Sequence, residues 1–421
     1  MEYSDHFTYR QDELHAEDCS VADLAAKYGT PLYVYSRSSL EGAFREYDDN
    51  LRIPHRICYA VKANSSLAVL QLMASLGAGF DIVSVGELAR VIQAGGDPGR
   101  VVYSGVGKRE DEIRFALEQG IYCFNVESAP ELERISQVAS SMGATAPVAV
   151  RVNPNVDPKT HPYISTGLKK NKFGVPVEEA YELYRRAGEL PGIRVTGIDC
   201  HIGSQMTTTG PLMEALETLV TMAGRLKADH PHLDHLDIGG GLGINYRDEN
   251  CVSAAAYMES LNSRLASLGL TVLVEPGRSL VGNAGILVTR VEYVKKGAET
   301  DFAVVDAGMN DMIRPALYEA WMAIAPVRRG AAPVRHCSVV GPICESGDFL
   351  GLDRELEVKA GDLLVQFSAG AYGFSMSSNY NSRPRAAEVM VYGDQEQLIR
   401  SRETLDDLWR HEILLSGVSA G

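Results

Sequence analysis

The sequence contains no CxxC pair. Its seven cysteines (Cys19, Cys58, Cys123, Cys200, Cys251, Cys337 and Cys344) are odd in number and stand singly. That pattern argues against a disulfide framework or a cysteine-based zinc site and fits a reduced, cytoplasmic protein. No run of 18 apolar residues occurs, so no membrane span is expected. The opening stretch MEYSDHFTYRQDE has no basic segment leading into an apolar one, so no signal peptide is expected. No cluster of basic residues offsets a formal charge of −15, from 40 basic and 55 acidic side chains. Such a surface disfavours nucleic acid and anionic membrane, and any anionic ligand must be caught by a local positive site. Short-period repeats and low-complexity segments are also missing. What remains is an ordinary globular composition. The 421 residues are 45% hydrophobic and 23% charged, enough for two domains with full cores.

Short apolar runs alternate with helical patterns through the first two thirds of the chain. The runs are ICYAVK (57–62), GFDIV (79–83), RVVYSG (100–105), IYCFNV (121–126), PVAVRVN (147–153), RVTGIDCH (194–201), LDHLDIGG (233–240) and TVLVEP (271–276). Between them apolar residues recur at three- and four-residue spacing, as at Leu132, Ile135, Val138 and Ala139. Ser84 with Glu87, and Ser128 with Glu131, have the spacing of capping boxes. The pattern predicts seven helices between eight strands, with one more helix over 38–50. Eight buried strands alternating with helices read as an α/β fold, a closed (β/α)8 barrel of the TIM type. An open doubly wound sheet is the alternative. The strand count and the missing GxGxxG after the first strand disfavour it.

After about residue 283 the texture changes to ILVTRVEYVKK, TDFAVVDAG, VRHCSVVGPIC, LEVKAGDLLVQFS and AAEVMVYG, punctuated by Gly, Asp and Pro. This predicts a mostly β C-terminal domain, a sandwich or barrel, with one helix near 402–411. TPLYVYS (30–36) is assigned to it as a further strand. The expected division is a barrel over 37–282 and a β-rich domain built from 1–36 and 283–421.

In a barrel of this kind, function sits at the C-terminal ends of the strands. Those ends carry Lys62, Asp81, Ser104, Asn125, Arg151, His201, Gly239–Gly241 and Glu275. A lysine closing a buried strand either pairs with an acid or is held neutral and nucleophilic, ready to form a Schiff base with a carbonyl. GGGLGI (239–244) follows the seventh strand, where such barrels bind phosphate; Gly240 and Gly241 can offer backbone N–H groups at a helix start, or form a plain tight turn. In EPGR (275–278), Glu275 suits a pyridinium nitrogen, Gly277 and the backbone of Arg278 suit phosphate, and the Arg278 side chain suits a carboxylate. A structural Glu–Arg pair is the alternative. HIGSQ (201–205) offers His201 as a stacking ring and Ser204 as a phosphate donor, or a core histidine bonded to backbone. In GPICESGDFL (341–350), Cys344 lies near Glu345 and Asp348, which disfavour its thiolate and suit a proton donor. Arg314, Tyr318 and Tyr372 are candidate carboxylate or phosphate binders, or loop packing.

YAVKANSS, HIGSQ, GGGLGI, EPGR, DAGMNDMIRPALY, GPICESGD and GAYGFSMSSNYNSRPR occur in this order. Together they resemble the fold type III pyridoxal phosphate (PLP)-dependent decarboxylases, and within them the diaminopimelate decarboxylase family, over residues 31–390. The resemblance implies that Lys62 carries pyridoxal 5'-phosphate. It implies that Asp81, His201, Ser204, Gly240, Gly241, Glu275, Gly277, Arg278 and Tyr372 surround the cofactor, with His201 stacked on its ring. It assigns Arg278, Arg314, Tyr318, Glu345 and Tyr372 to the substrate, meso-diaminopimelate, and Cys344 to protonation of the carbanion. It further implies a homodimer in which Cys344 and Glu345 reach the other subunit's barrel. One departure is local: the chain reads EAWMAI after Tyr318, where relatives often carry a histidine near Met322. Within the same chemistry, decarboxylation of ornithine, lysine or carboxynorspermidine is the alternative, and two arginines argue against substrates without a far carboxylate. A non-catalytic PLP-binding homologue is disfavoured because Lys62 and Cys344 are both present.

Overall fold

A computed structural model describes residues 5–157 and 172–416. All eight apolar runs are strands: His55–Ala60, Gly79–Ile82, Val101–Tyr103, Cys123–Val126, Ala146–Asn153, Ile193–Asp199, His235–Asp237 and Thr271–Val274. Each pairs in parallel with the next, and the eighth returns to the first through Val272–His55, Leu273–Arg56 and Val274–Ile57. The sheet is therefore closed, and the doubly wound alternative falls. The two-residue strand Val175–Pro176 is an extra pairing on the fifth strand.

Among the described residues the seven intervening helices are Leu67–Ser75, Val85–Gln93, Glu110–Gln119, Ala129–Ser141, Val177–Glu189, Gly210–Leu226 and Ala254–Leu265, and Arg37–Asp48 precedes the first strand. Helices outside and side chains within bury both faces of each strand, which is why the strands read as continuous apolar runs. Parity sorts the two faces. Ile57 and Tyr59 pack outward into the main core, while Cys58 joins Val102, Cys123, Ala149 and Leu273 in a small cluster filling the lumen. Two of the single cysteines are thus lumen filler. Cys251 is only half-buried and Cys344 is exposed.

Both expected capping boxes form, shifted by one residue. Ser84 Oγ accepts from Glu87 N at 3.2 Å, but Glu87 Oε2 reaches back to Val83 N at 2.7 Å. Ser128 and Glu131 repeat this, with Glu131 Oε2 on Glu127 N at 3.0 Å. The two cap residues are extended (φ −156° and −166°), which carries their own N–H groups out of reach.

The β-rich part is organised on one long strand, Gly285–Lys295. Asp301–Val305, Leu363–Gln366 and Leu32–Ser36 all pair with it antiparallel. Leu32–Ser36 also lies parallel to Ala387–Tyr392, so the N-terminal segment is clamped between two C-terminal strands. The helix Val21–Tyr28, the small sheet of Phe7–Arg10, Glu13–Ala16 and Cys19–Ser20, and the strand Gln395–Arg400 were not anticipated; most of these strands are too short to show periodicity. The helix expected over 402–411 is absent. A single 3₁₀ turn, Asp406–Leu408, stands there, and Leu405 and Trp409 are exposed, so no apolar face is buried to sustain a longer helix.

Close packing leaves some glycines no room for a side chain. A Cβ on Gly197 would lie 2.0 Å from His235 Nε2, and His235 is fully buried. Gly197→Ala is expected to cost at least about 1–3 kcal/mol in urea unfolding. Gly224→Ala, in the helix Gly210–Leu226 with nothing within 4 Å, should stabilise by about 0.5–1 kcal/mol. Equal effects would contradict this packing argument.

Candidate active site at the barrel mouth

A cavity of about 550 Å³ opens at the C-terminal ends of the strands, a size suited to a small-molecule ligand. Lys62, Ser104, Gly105, Arg151, Asp199, His201 and Glu275 line it, with Val83, Val106, Arg109, Glu112 and Phe173 at the rim. A second cavity, about 490 Å³ beside Arg37, Leu72 and Tyr392, contains none of the predicted site residues.

Lys62 does not end the first strand. It lies in a one-turn 3₁₀ helix, Val61–Ala63, just beyond it. Its Nζ donates to Asp81, which is fully buried. Burial opposes the lysine charge, but Asp81 and Glu275 outweigh it, and the net shift is upward. Of the two readings open for this lysine, pairing with an acid is the one the structure bears out. The lysine is held as an ammonium, and attack on a carbonyl requires that proton to leave.

Around it stands a buried acid cluster. Asp199, Asp237 and Glu275 each offer an oxygen within 4.8 Å of the others. Burial pushes the Asp237 carboxyl up to about 6, and Asp199 and Glu275 are also raised well above the ordinary range, by burial first and then by neighbouring carboxylates. Glu275 Oε1 is buried without a hydrogen-bond partner. Its free oxygen leaves it able to pair with a protonated ring nitrogen, whose positive charge would offset the cost of burying the carboxylate. His201 is pushed the other way, well below its usual range, by burial and by Arg151 and Lys62. Its Nδ1 accepts from Gly240 N at 3.2 Å, so the ring is neutral.

The glycine run is not a helix start, as had been expected; the next helix begins only at Ala254. Instead it folds against two neighbours. A Cβ on Gly240 would lie 2.0 Å from Glu275 O, and one on Gly241 would lie 2.4 Å from Gly203 O. Gly241 is also left-handed, at φ +106°. Among the described residues, the backbone N–H groups of Gly241, Gly277 and Arg278 donate to no protein acceptor. Ser204 Oγ accepts from the Arg278 side chain, from Nη2 at 3.1 Å and Nε at 3.3 Å. This is an anion-binding set of the kind a phosphate requires.

Two buried arginines flank one tyrosine that the sequence reading missed. Arg278 Nη1 donates to the Tyr246 hydroxyl at 2.7 Å, and the Arg314 guanidinium lies 4.3 Å from that ring's centroid. Arg314 Nε and Nη1 are buried without partners. Tyr318 shares the short helix Arg314–Tyr318. Tyr372, strained at φ +55°, ties this group to the lysine turn: its N–H donates to Ala63 O at 2.8 Å, and Arg278 lies 4.8 Å from its ring centroid.

Cys344 and Glu345 stand apart from this group. Both are exposed; Cys344 N donates to Asn381 Oδ1 at 2.9 Å, and Glu345 accepts from the Tyr380 hydroxyl. The expectation that Asp348 lies beside the thiol is corrected. Its buried carboxylate turns inward, accepting from Met309 N and Ile343 N, each at 2.6 Å, and so anchors the loop. Sequence reasoning also missed Asp199 and Asp237. Their signal was present, an acid near the end of each of two apolar strands, in GIDCH and HLDIG.

Barrel, lysine, acid cluster and glycine loop together define a pyridoxal-dependent decarboxylase, and residues 37–282 match the pyridoxal binding domain of that family. The chain is 56% identical to the diaminopimelate decarboxylase of Pseudomonas aeruginosa over 413 residues, 98% of this chain and 99% of that protein. Identity to the Vibrio cholerae enzyme of the same name is 54%, with the same coverage. A solved structure of diaminopimelate decarboxylase from Helicobacter pylori complexed with L-lysine superposes with a TM-score of 0.89 at 43% identity, covering 93% of this chain and 98% of that one. The chain belongs to the diaminopimelate decarboxylase family. The site fits the cofactor its family binds: a lysine for an aldehyde, unpaired N–H donors for a phosphate, and a buried carboxylate with a free oxygen for a basic ring nitrogen.

The acid cluster has a consequence for stability. The folded value of Asp237, about 6, lies above the ordinary 3.8 of an aspartate. Its contribution is therefore fully present at acid pH and lost as pH rises through 6. Asp237→Asn can still accept from Gly239 N, and should gain melting temperature relative to wild type as pH rises from about 4 to about 6 and hold that gain above 6, with little difference below pH 4. A difference independent of pH would contradict this account.

Proposed function

We propose that this chain decarboxylates meso-2,6-diaminopimelate to L-lysine and carbon dioxide, the last step of lysine biosynthesis, with pyridoxal 5'-phosphate as cofactor. One observation carries the choice of substrate. Arg314 is buried with two guanidinium nitrogens unpartnered, next to Arg278. Such a group calls for an anion, and the far carboxylate of a diacid supplies it. Ornithine, lysine and carboxynorspermidine, having no far carboxylate, would leave Arg314 unpaired.

When bound, the cofactor supplies an electron sink for the pair left by departing carbon dioxide. The residues of the chain do the rest. Lys62 would hold the cofactor through its aldehyde. Ser204, the N–H groups of Gly241, Gly277 and Arg278, and the Tyr372 hydroxyl hold its phosphate. Gly240 sets the loop against Glu275, and Asp81 orients Lys62. Glu275 keeps the ring nitrogen protonated, and His201 presents a neutral face to the ring. Arg278, Arg314 and Tyr318 orient the far end of the substrate.

Cys344 delivers the final proton, and Glu345 takes the far amine. Both are exposed here, with no hydrogen bond or ion pair to the barrel residues among the described ones. In this reading they serve the barrel of a second copy, which makes the enzyme a homodimer with shared sites. The barrel domain spans 37–282, and the β-rich domain, 1–36 with 283–421, presents the loop that crosses. The enzyme works in the cytoplasm; among the described residues no helix is long and apolar enough to cross a membrane.

Purified protein with pyridoxal phosphate should release carbon dioxide and L-lysine from meso-diaminopimelate; bound cofactor without turnover would refute the assignment. Lys62→Ala should abolish the visible absorbance of the bound cofactor. Cys344→Ala should slow turnover by about 10²–10⁴-fold, the worth of a positioned acid. Mixing the two impaired variants under conditions of subunit exchange should raise activity well above that of either alone, because one mixed site carries both native residues. No recovery would place Cys344 and Lys62 of each site in the same subunit.

A further inference from the structure

One buried carboxylate outside the assigned set fixes the cavity wall from three directions. Glu127 directly follows the fourth barrel strand and is 5% exposed. Its Oε1 accepts from Gly105 N at 2.9 Å and from Arg151 Nη1 at 3.1 Å. Its Oε2 accepts from Gly174 N at 3.1 Å. Gly105, Arg151 and Phe173, the neighbour of Gly174, all line the cavity. Arg151 carries the constraint onward: its Nη2 donates to the backbone oxygen of His201 at 3.3 Å, and its guanidinium lies 5.0 Å from the Phe173 ring centroid.

A second ion pair braces the first. Glu131 Oε2 holds Glu127 N at 3.0 Å, while its Oε1 pairs with buried Lys108 at 2.6 Å. Lys108 also donates to the carbonyl of Gly105 at 2.8 Å. The N–H of Gly105 is thus held by one ion pair and its carbonyl by the other, at a left-handed φ of +99°.

We propose that Glu127 is a positioning residue of this site, which through Arg151 sets the backbone of His201 and the cavity rim and so holds the cofactor ring at one tilt. The inference rests on the reading that the cavity takes pyridoxal phosphate. Its physical basis is that only a carboxylate can accept at both oxygens. A glutamine keeps the volume but turns one acceptor into a donor facing an N–H group. The charge matters equally. Asp199 and Glu275 also attract Arg151; without Glu127 the guanidinium is drawn to them and competes for the carboxylate that serves the ring nitrogen.

The test is visible circular dichroism and equilibrium binding of pyridoxal phosphate, without substrate, for wild type, Glu127→Gln, Arg151→Gln and the double variant. Glu127→Gln should alter the visible band and weaken cofactor binding by about tenfold or more, the loss expected for one charge-assisted bond. In the Arg151→Gln background the same change should add little, because the two act in series. Wild-type dichroism and affinity in Glu127→Gln, or fully additive effects in the double variant, would overturn the inference. If Glu127→Gln does not fold, a folded Arg151→Gln with a wild-type band overturns it equally. A wild-type protein that binds no cofactor would bring down the cofactor reading as well; indifferent variants beside a normal wild-type band would bring down this inference alone.

Discussion

The barrel mouth depends on a balance of buried charge. Asp81, Glu127, Asp199, Asp237 and Glu275 are all buried there, against the cations Lys62 and Arg151. Carboxylates out of water are costly unless paired or protonated. Burial first, and the neighbouring carboxylates after it, push Asp237, Asp199 and Glu275 upward, while Asp81 and Glu275 keep Lys62 charged. One imbalance thus does two things: it raises the proton affinity of the buried carboxyls, Glu275 among them, and it holds Lys62 in an ion pair with Asp81.

The β-rich part supplies what the barrel lacks. Its long central strand begins at Gly285, a few residues after Arg278, so the chain leaves the anion site directly into the second sheet. That sheet returns Arg314, Tyr318 and Tyr372 to the barrel rim, and the N–H of Tyr372 is bonded to Ala63 O beside the lysine. The residues proposed to recognise the substrate therefore lie at the seam between the two parts, and most of those proposed to hold the cofactor lie within the barrel. The loop bearing Cys344 and Glu345 is held rigid by Asp348 yet faces outward. This is consistent with the proposal that they act on the barrel of a second copy.

Much of the site could be read before folding because barrel strands are apolar along their length, so a polar residue closing one is conspicuous. Lys62, Asp81, His201 and Glu275 were found in this way. Tyr246 was not, because it sits in the irregular segment after the glycine run, where no periodicity marks it. Glu127 was passed over for the same reason: it lies one residue past a strand end, in what reads as a helix-capping turn. Asp348 was assigned to the wrong side of its loop, since spacing alone cannot tell whether a carboxylate faces a thiol or two backbone N–H groups.

By itself the sequence determined the eight-strand alternation, the residues at the strand ends and the order of the motifs. All of these follow from local periodicity and from the cost of placing a polar group in an apolar run. Tertiary structure alone decided the protonation of those residues and their partners. Whether Lys62 is an ammonium or an amine depends on Asp81 and Glu275, residues brought close only when the sheet closes. Charge acts through space, in a medium of low polarity that exists only once the chain has folded around it.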